Sequence, residues 1–171
     1  MDFKTTGNSV YVIGKTEGQL DQSVFARDLL SEKKGPPPNI NLFNEKNIGE
    51  NILNLISKNL IVSCHDVSLG GILTAVVKMC IKGSKGIKIN QLKGLINKFE
   101  YFFGEDQGRY IVEITSENVK KVNEILEKNS VHYDELGIVD DEILMYNNDI
   151  KLPIDELKEA HKYWLEKYMD S

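Results

Sequence analysis

Hydrophobic positions along the chain fall into short blocks whose spacing switches between strand and helix. Residues 8–14 hold Val10, Tyr11, Val12 and Ile13 ahead of Gly14, a β-branched and aromatic run that predicts a strand. A turn at Thr16, Glu17 and Gly18 and a short helix over residues 23–30 follow. Pro36, Pro37 and Pro38 form a stiff connector, because proline lacks an amide donor and forces its predecessor toward extended angles. Over residues 45–58, Ile48, Ile52, Leu55 and Ile56 lie along one helical face. Residues 60–64 read as a short buried strand. A helix over residues 69–82 then carries Ile72, Ala75, Val76, Met79 and Cys80 as its inner stripe, with Ser68 as N-cap and Gly83 as a left-handed C-cap.

Further along, residues 86–89 predict a strand, 91–98 a short helix and 109–114 a strand. Ser116 opens an amphipathic helix with Val119, Val122, Ile125 and Leu126 on its apolar side. Residues 135–139 and 143–146 are strands, and Asn147, Asn148 and Asp149 turn the chain into another at 150–152. Pro153 begins a terminal helix with Leu157, Trp164 and Tyr168 as its apolar positions. Helices alternate irregularly with strands and two strands share a tight turn. This order predicts an α/β fold, a mixed β-sheet layered with helices, over a single domain spanning residues 1–171.

Composition narrows the functional classes. A chain of 171 residues, 41% hydrophobic, can bury about two-thirds of its unfolded surface and support one core. A formal charge of −5 argues against nucleic acid and anionic membranes as partners, since both require a cationic face. The apolar runs are shorter than the roughly 20 residues of a membrane span, and no basic region followed by an apolar stretch is visible at Met1, Asp2, Phe3 and Lys4, so a secretory signal is not expected from this stretch. Cys64 and Cys80 lie in apolar stretches without C-x-x-C spacing, which predicts buried, reduced thiols and a cytoplasmic location.

Two segments carry candidate chemistry. Residues 63–71 run from a strand into a helix start, where Gly70 and Gly71 either expose amides that meet phosphate or permit close packing. Cys64 and His65 are adjacent strand residues on opposite faces, so they do not form a nucleophile and base pair. His65, with Asp66 and Ser68, reads as a structural element of the turn. The second segment holds Glu105, Asp106, Gln107 and Arg109 between Gly104 and Tyr110. Its carboxylates suit magnesium and Arg109 suits a phosphate, and the same residues suit a solvated turn.

In this order and separation the two segments resemble the C-terminal domain of the aminoimidazole ribonucleotide synthase superfamily, and most closely the second such domain in the phosphoribosylformylglycinamidine synthase family. The glycine turn of that family resembles H-D-[LV]-S-x-G-G-[LI], matched by His65, Asp66, Val67, Ser68, Gly70, Gly71 and Ile72. The family's knot resembles F-S-E-S-Q-x-R-[FY]. Here Phe103, Glu105, Gln107, Arg109 and Tyr110 match, while Gly104 and Asp106 replace the two serines. Residues 10–20 are similar to the family's opening motif, with Asp21 where glycine is usual, and the segments at 35–38 and 137–139 also fit.

The resemblance implies an ATP-dependent carbon-nitrogen ligase of purine biosynthesis. It would convert formylglycinamide ribonucleotide, ATP and glutamine to formylglycinamidine ribonucleotide, ADP, phosphate and glutamate. ATP and magnesium would be bound mainly by preceding domains of the same enzyme. Further partners would be a glutaminase domain or subunit and a small accessory subunit. This chain would be the last domain, without catalytic residues or metal ligands of its own and inactive alone. Gly70, Gly71, Glu105, Gln107 and Arg109 would be candidate ligand or phosphate contacts in a degenerate pseudo-site. The alternatives are a domain of another enzyme of the superfamily, or a freestanding non-catalytic interaction module.

Overall fold

The computed structural model describes residues 1–32, 34–92 and 96–169, and among them one seven-stranded mixed sheet organises the chain. Its strands are β1 (Ser9–Ile13), β2 (Ser63–Asp66), β3 (Gly86–Ile89), β4 (Tyr110–Ile114), β5 (Tyr133–Asp140), β6 (Ile143–Tyr146) and β7 (Ile150–Pro153), arranged β2-β4-β1-β5-β3-β6-β7. All neighbours are antiparallel except β3 and β6. The mixed sheet is the one the pattern predicts.

The period-two alternation of β1 decides what each face buries. Val10 and Val12 enter one core with the inner stripe of helix α3 (Gly71–Gly83), α4 (Lys98–Phe103) and the start of α6 (Ile154–Met169). Tyr11 and Ile13 enter the other, under α2 (Leu42–Ser57) and α5 (Val119–Lys128). Both faces are therefore helix-covered. Leu55, Ile72, Val76, Met79 and Leu126 are fully buried, and truncating such a side chain to alanine costs about 2–5 kcal/mol.

Several local expectations are corrected. The strand expected at residues 60–64 pairs instead as β2 from Ser63, because its register with β4 runs Ser63 to Glu113 through Asp66 to Tyr110. Ser68 does not cap α3: Gly70 occupies the N-cap at φ +83 with no side-chain bond, and Ser68 offers its carbonyl to the Gly71 amide at 3.0 Å. Gly83 is not the left-handed residue. Ser84 takes that conformation at φ +50, while Gly83 lacks a Cβ because the Phe3 backbone presses directly on it. Likewise α5 starts at Val119 after Asn118 rather than at Ser116.

The helix expected over residues 91–98 lies partly outside the described residues. The described helix there is α4, opened by a capping box in which Asn97 accepts from Glu100 and Glu100 accepts from Asn97. In α6, Leu157 packs on the core, but Trp164 and Tyr168 are exposed and contact each other. Pro153 ends β7 rather than opening the helix.

Candidate functional site

The knot at residues 104–109 joins α4 to β4 and meets the loop that leaves β1. Ile13 pairs with Tyr110, so both segments emerge from the same end of neighbouring strands. Gly14, at φ +106, lies against the Gly108 carbonyl with no room for a Cβ. The short helix α1 (Val24–Asp28) follows that loop, capped by Ser23, which accepts from the Ala26 amide at 3.1 Å.

Asp106 organises the loop. Its Oδ2 accepts from the Glu17 amide at 3.2 Å and the Gly18 amide at 3.1 Å, and its Oδ1 from the Gln19 amide at 3.0 Å. Glu105 joins two more segments, since its Oε1 accepts from the Val24 and Gly70 amides, each at 2.8 Å. Arg109 is fully buried beneath them. Its Nη2 donates to Gly104 O at 2.7 Å, its Nη1 to Thr16 Oγ1 at 3.2 Å and its Nε to Asp106 O at 3.2 Å, with Nη1 also 3.4 Å from Asp106 Oδ2. Burial presses the guanidinium below its ordinary pKa, and the Asp106 charge pushes it back. Arginine stays charged under such pressure.

The glycine turn and the knot touch directly rather than across a gap. A Cβ on Gly71 would lie 2.6 Å from Phe102 O and 2.7 Å from Gly104 O, and Gly71 sits at φ +70. Its glycine is therefore explained by close approach and by a left-handed backbone. Gly70 gives its amide to Glu105. The first carboxylate and the helix start are thus partners within the fold.

His65 is mostly buried, with Nδ1 2.6 Å from the carbonyl of Asp66 and 3.5 Å from its carboxylate. Val67, the next residue but one, donates its amide to Arg109 O at 2.8 Å, so this turn too is tied to the knot. Gln107 alone among the knot's polar side chains is exposed, and among the described residues its one hydrogen bond is a 3.4 Å contact from Nε2 to Glu105 O.

Gln107 and Gly108 line a polar cleft of about 460 Å³ together with Lys15, Glu17, Gln19, Asn39, Asn41, Asn44 and Glu45. The carboxamides of Gln19, Asn39, Asn41, Asn44 and Gln107 share its walls with Lys15, Glu17, Glu45 and Asp106, and they offer both donors and acceptors to polar groups such as hydroxyls and amides. The knot does not fit magnesium: both Asp106 oxygens and one Glu105 oxygen already accept main-chain amides, whereas a hard cation needs free oxygens. Among the described residues no group of three or more His, Cys, Asp or Glu is placed to hold a metal ion.

Both cysteines are free, and burial raises their thiols, Cys64 to about 11 and Cys80 to about 12. They remain protonated at neutral pH. Sequence reasoning missed Glu113, fully buried in β4 yet accepting from the Lys4 and Thr5 amides, Asn8 Nδ2 and Ser63 Oγ. The signal was present as a carboxylate between Val112 and Ile114 in an otherwise apolar strand.

Residues 5–144 match the family described as AIR synthase related protein, C-terminal domain. The chain is 58% identical over its full length to the phosphoribosylformylglycinamidine synthase subunit PurL of Pelagibacter ubique, and 32% identical over 95% of its length to that of Bartonella bacilliformis. It spans only 23% and 22% of those proteins. Among solved structures, Thermotoga maritima PurL complexed with FGAR overlays 92% of the chain with a TM-score of 0.75 at 23% identity, the chain covering 29% of it. The hydrogenase maturation protein HypE in complex with ATP overlays 90% with a TM-score of 0.61 at 9% identity, the chain covering 51% of it. These likenesses establish a shared fold. No described helix is long and apolar enough to cross a membrane. With a match covering most of its length and a mixed sheet to accompany it, the chain belongs to the AIR synthase related protein, C-terminal domain family.

Proposed function

We propose that the chain is the last domain, the second of the AIR synthase C-terminal type, of a cytoplasmic phosphoribosylformylglycinamidine synthase. In that enzyme ATP activates the amide oxygen of formylglycinamide ribonucleotide. Ammonia released from glutamine then displaces phosphate, giving the amidine, ADP, phosphate and glutamate. The observation that carries this reading is identity of 58% across all 171 residues with a PurL subunit of which the chain spans only 23%. Nucleotide and magnesium are held by the rest of the enzyme, and a glutaminase domain or subunit and a small accessory subunit complete it.

Within this assembly the chain is a scaffold that shapes one wall of a pseudo-site. Gln107, exposed beside the carboxamide cleft, is the ligand contact we assign to it. Gly70, Gly71, Glu105 and Arg109 act as positioning residues, because their amides, carboxylate and guanidinium hold the knot against the loop and helix start. His65, Asp66 and Ser68 hold the preceding turn.

The test is an assay of a longer protein that contains this segment, supplied with formylglycinamide ribonucleotide, ATP, magnesium and ammonia. Amidine formation matched mole for mole by ADP supports the reading. ATP consumed with a different acceptor, and none with this ribonucleotide, points instead to another enzyme of the superfamily.

A further inference from the structure

Three consecutive main-chain amides, those of Glu17, Gly18 and Gln19, converge on one carboxylate. Gly18, at φ +81, supplies the left-handed turn that lets neighbouring N–H groups point to the same side, the geometry of a backbone anion nest. A buried cation completes it. Arg109 Nη1 stands 3.4 Å from Asp106 Oδ2, and its side chain has no solvent exposure. Main-chain donors and a guanidinium are the groups that recognise phosphate oxygens. The occupant here is the chain's own Asp106.

We propose that the loop at residues 17–19 together with Arg109 is an oxyanion site held closed by Asp106, and that removing this carboxylate lets the site take inorganic phosphate or the phosphate of a monoester. The inference stands on these contacts alone and does not depend on the ligase reading. Asp106 is itself buried, and the amides it accepts from have no other described acceptor. Its loss leaves three main-chain donors without an acceptor and removes the one carboxylate within ion-pair distance of the buried guanidinium among the described residues, which is costly inside a protein and drives capture of an anion from solution. Glu105 does not fill the vacancy, because its Oε1 is bound to the Val24 and Gly70 amides. In the native chain the site is shut, so phosphate does not compete for the knot.

Two variants separate charge from space. Asp106→Ser empties the nest, whereas Asp106→Asn keeps its volume occupied by a neutral group, although its NH₂ faces a main-chain donor whichever way it turns. Each is titrated with inorganic phosphate against sodium chloride of matched ionic strength, following the amide resonances of Glu17, Gly18 and Gln19 and the thermal midpoint. In Asp106→Ser those resonances shift saturably with phosphate, the midpoint rises with it, and binding is about tenfold or more tighter than in the native chain. The native chain and Asp106→Asn show no saturable shift there. If Asp106→Ser is unfolded without phosphate, recovery of its native far-ultraviolet signal by phosphate supports the proposal, and failure to recover overturns it. Folded Asp106→Ser with no phosphate-specific shift at residues 17–19, or native chain binding as tightly there, overturns it equally.

Discussion

Glu113→Gln removes one charge from the interior and almost no volume, so its cost measures what the buried carboxylate holds together. Each oxygen of Glu113 accepts from one main-chain and one side-chain donor. Oε2 takes the Lys4 amide at 2.8 Å and Ser63 Oγ at 3.2 Å, and Oε1 takes the Thr5 amide at 3.0 Å and Asn8 Nδ2 at 2.7 Å. Glutamine keeps one oxygen and presents an NH₂ in place of the other. Ser63 can rotate to accept from that NH₂, and Asn8 can flip its amide to do so. A main-chain N–H cannot adapt, so whichever way the glutamine turns, Lys4 or Thr5 faces a donor.

One stranded amide costs about 1–3 kcal/mol, and weakening of the surviving charge-assisted bonds brings the expected loss to about 2–4 kcal/mol. For a chain of this size that is a fall of about 5–10 °C in the thermal midpoint. Urea denaturation of native chain and variant gives the difference, and hydrogen exchange gives its location. The amides of Lys4 and Thr5 should lose protection first, because they tie the segment before β1 to the sheet. A variant within about 0.5 kcal/mol of the native chain, with both amides equally protected, would refute the reasoning.

Burial raises both thiols, so the protonated form is the one the fold favours: this stabilisation is complete below the unfolded thiol pKa of about 8.5 and is lost as pH climbs toward about 11 for Cys64 and about 12 for Cys80. Both thiols should resist a thiol-specific reagent at pH 8 until urea opens the fold, and prompt modification without denaturant would contradict this. Gly71→Ala should cost about 2 kcal/mol or more in urea denaturation, since the new Cβ meets the Phe102 and Gly104 carbonyls at a left-handed backbone position. Gly137→Ala should do similar harm by driving a Cβ into the Lys88 carbonyl and parting β3 from β5.

Periodicity made the core legible: the alternation of Val10, Tyr11, Val12 and Ile13 and the stripe from Ile72 to Cys80 appear in the structure as read. Boundaries failed where a stronger local cue misled. The apolar run Leu60 to Val62 drew the β2 reading upstream, although pairing with β4 begins at Ser63. Gly83 looked like a helix stop, but its missing side chain makes room for Phe3, 80 positions away. The capping box at Asn97 and Glu100 was readable and marked α4, which the apolar residues around it obscured.

At the site, the sequence named the knot and the glycine turn without indicating that they bond to each other. Glu105 reaches Gly70 across 35 residues and Asp106 reaches Gln19 across 87, and pairings this distant leave no trace in local spacing. The same distance explains why a phosphate role and a structural role for Arg109 looked alike in sequence. Only the fold shows its donors directed at Gly104, Thr16 and Asp106.

The most direct test of the proposed role divides a longer synthase-type protein at this segment and measures amidine formation from formylglycinamide ribonucleotide, ATP and ammonia. The 171-residue chain alone should give no turnover, the protein lacking it should be impaired, and adding the chain in trans should restore activity saturably. Turnover by the chain alone that survives repurification and scales with its concentration, or full activity of the protein lacking it, would contradict the account.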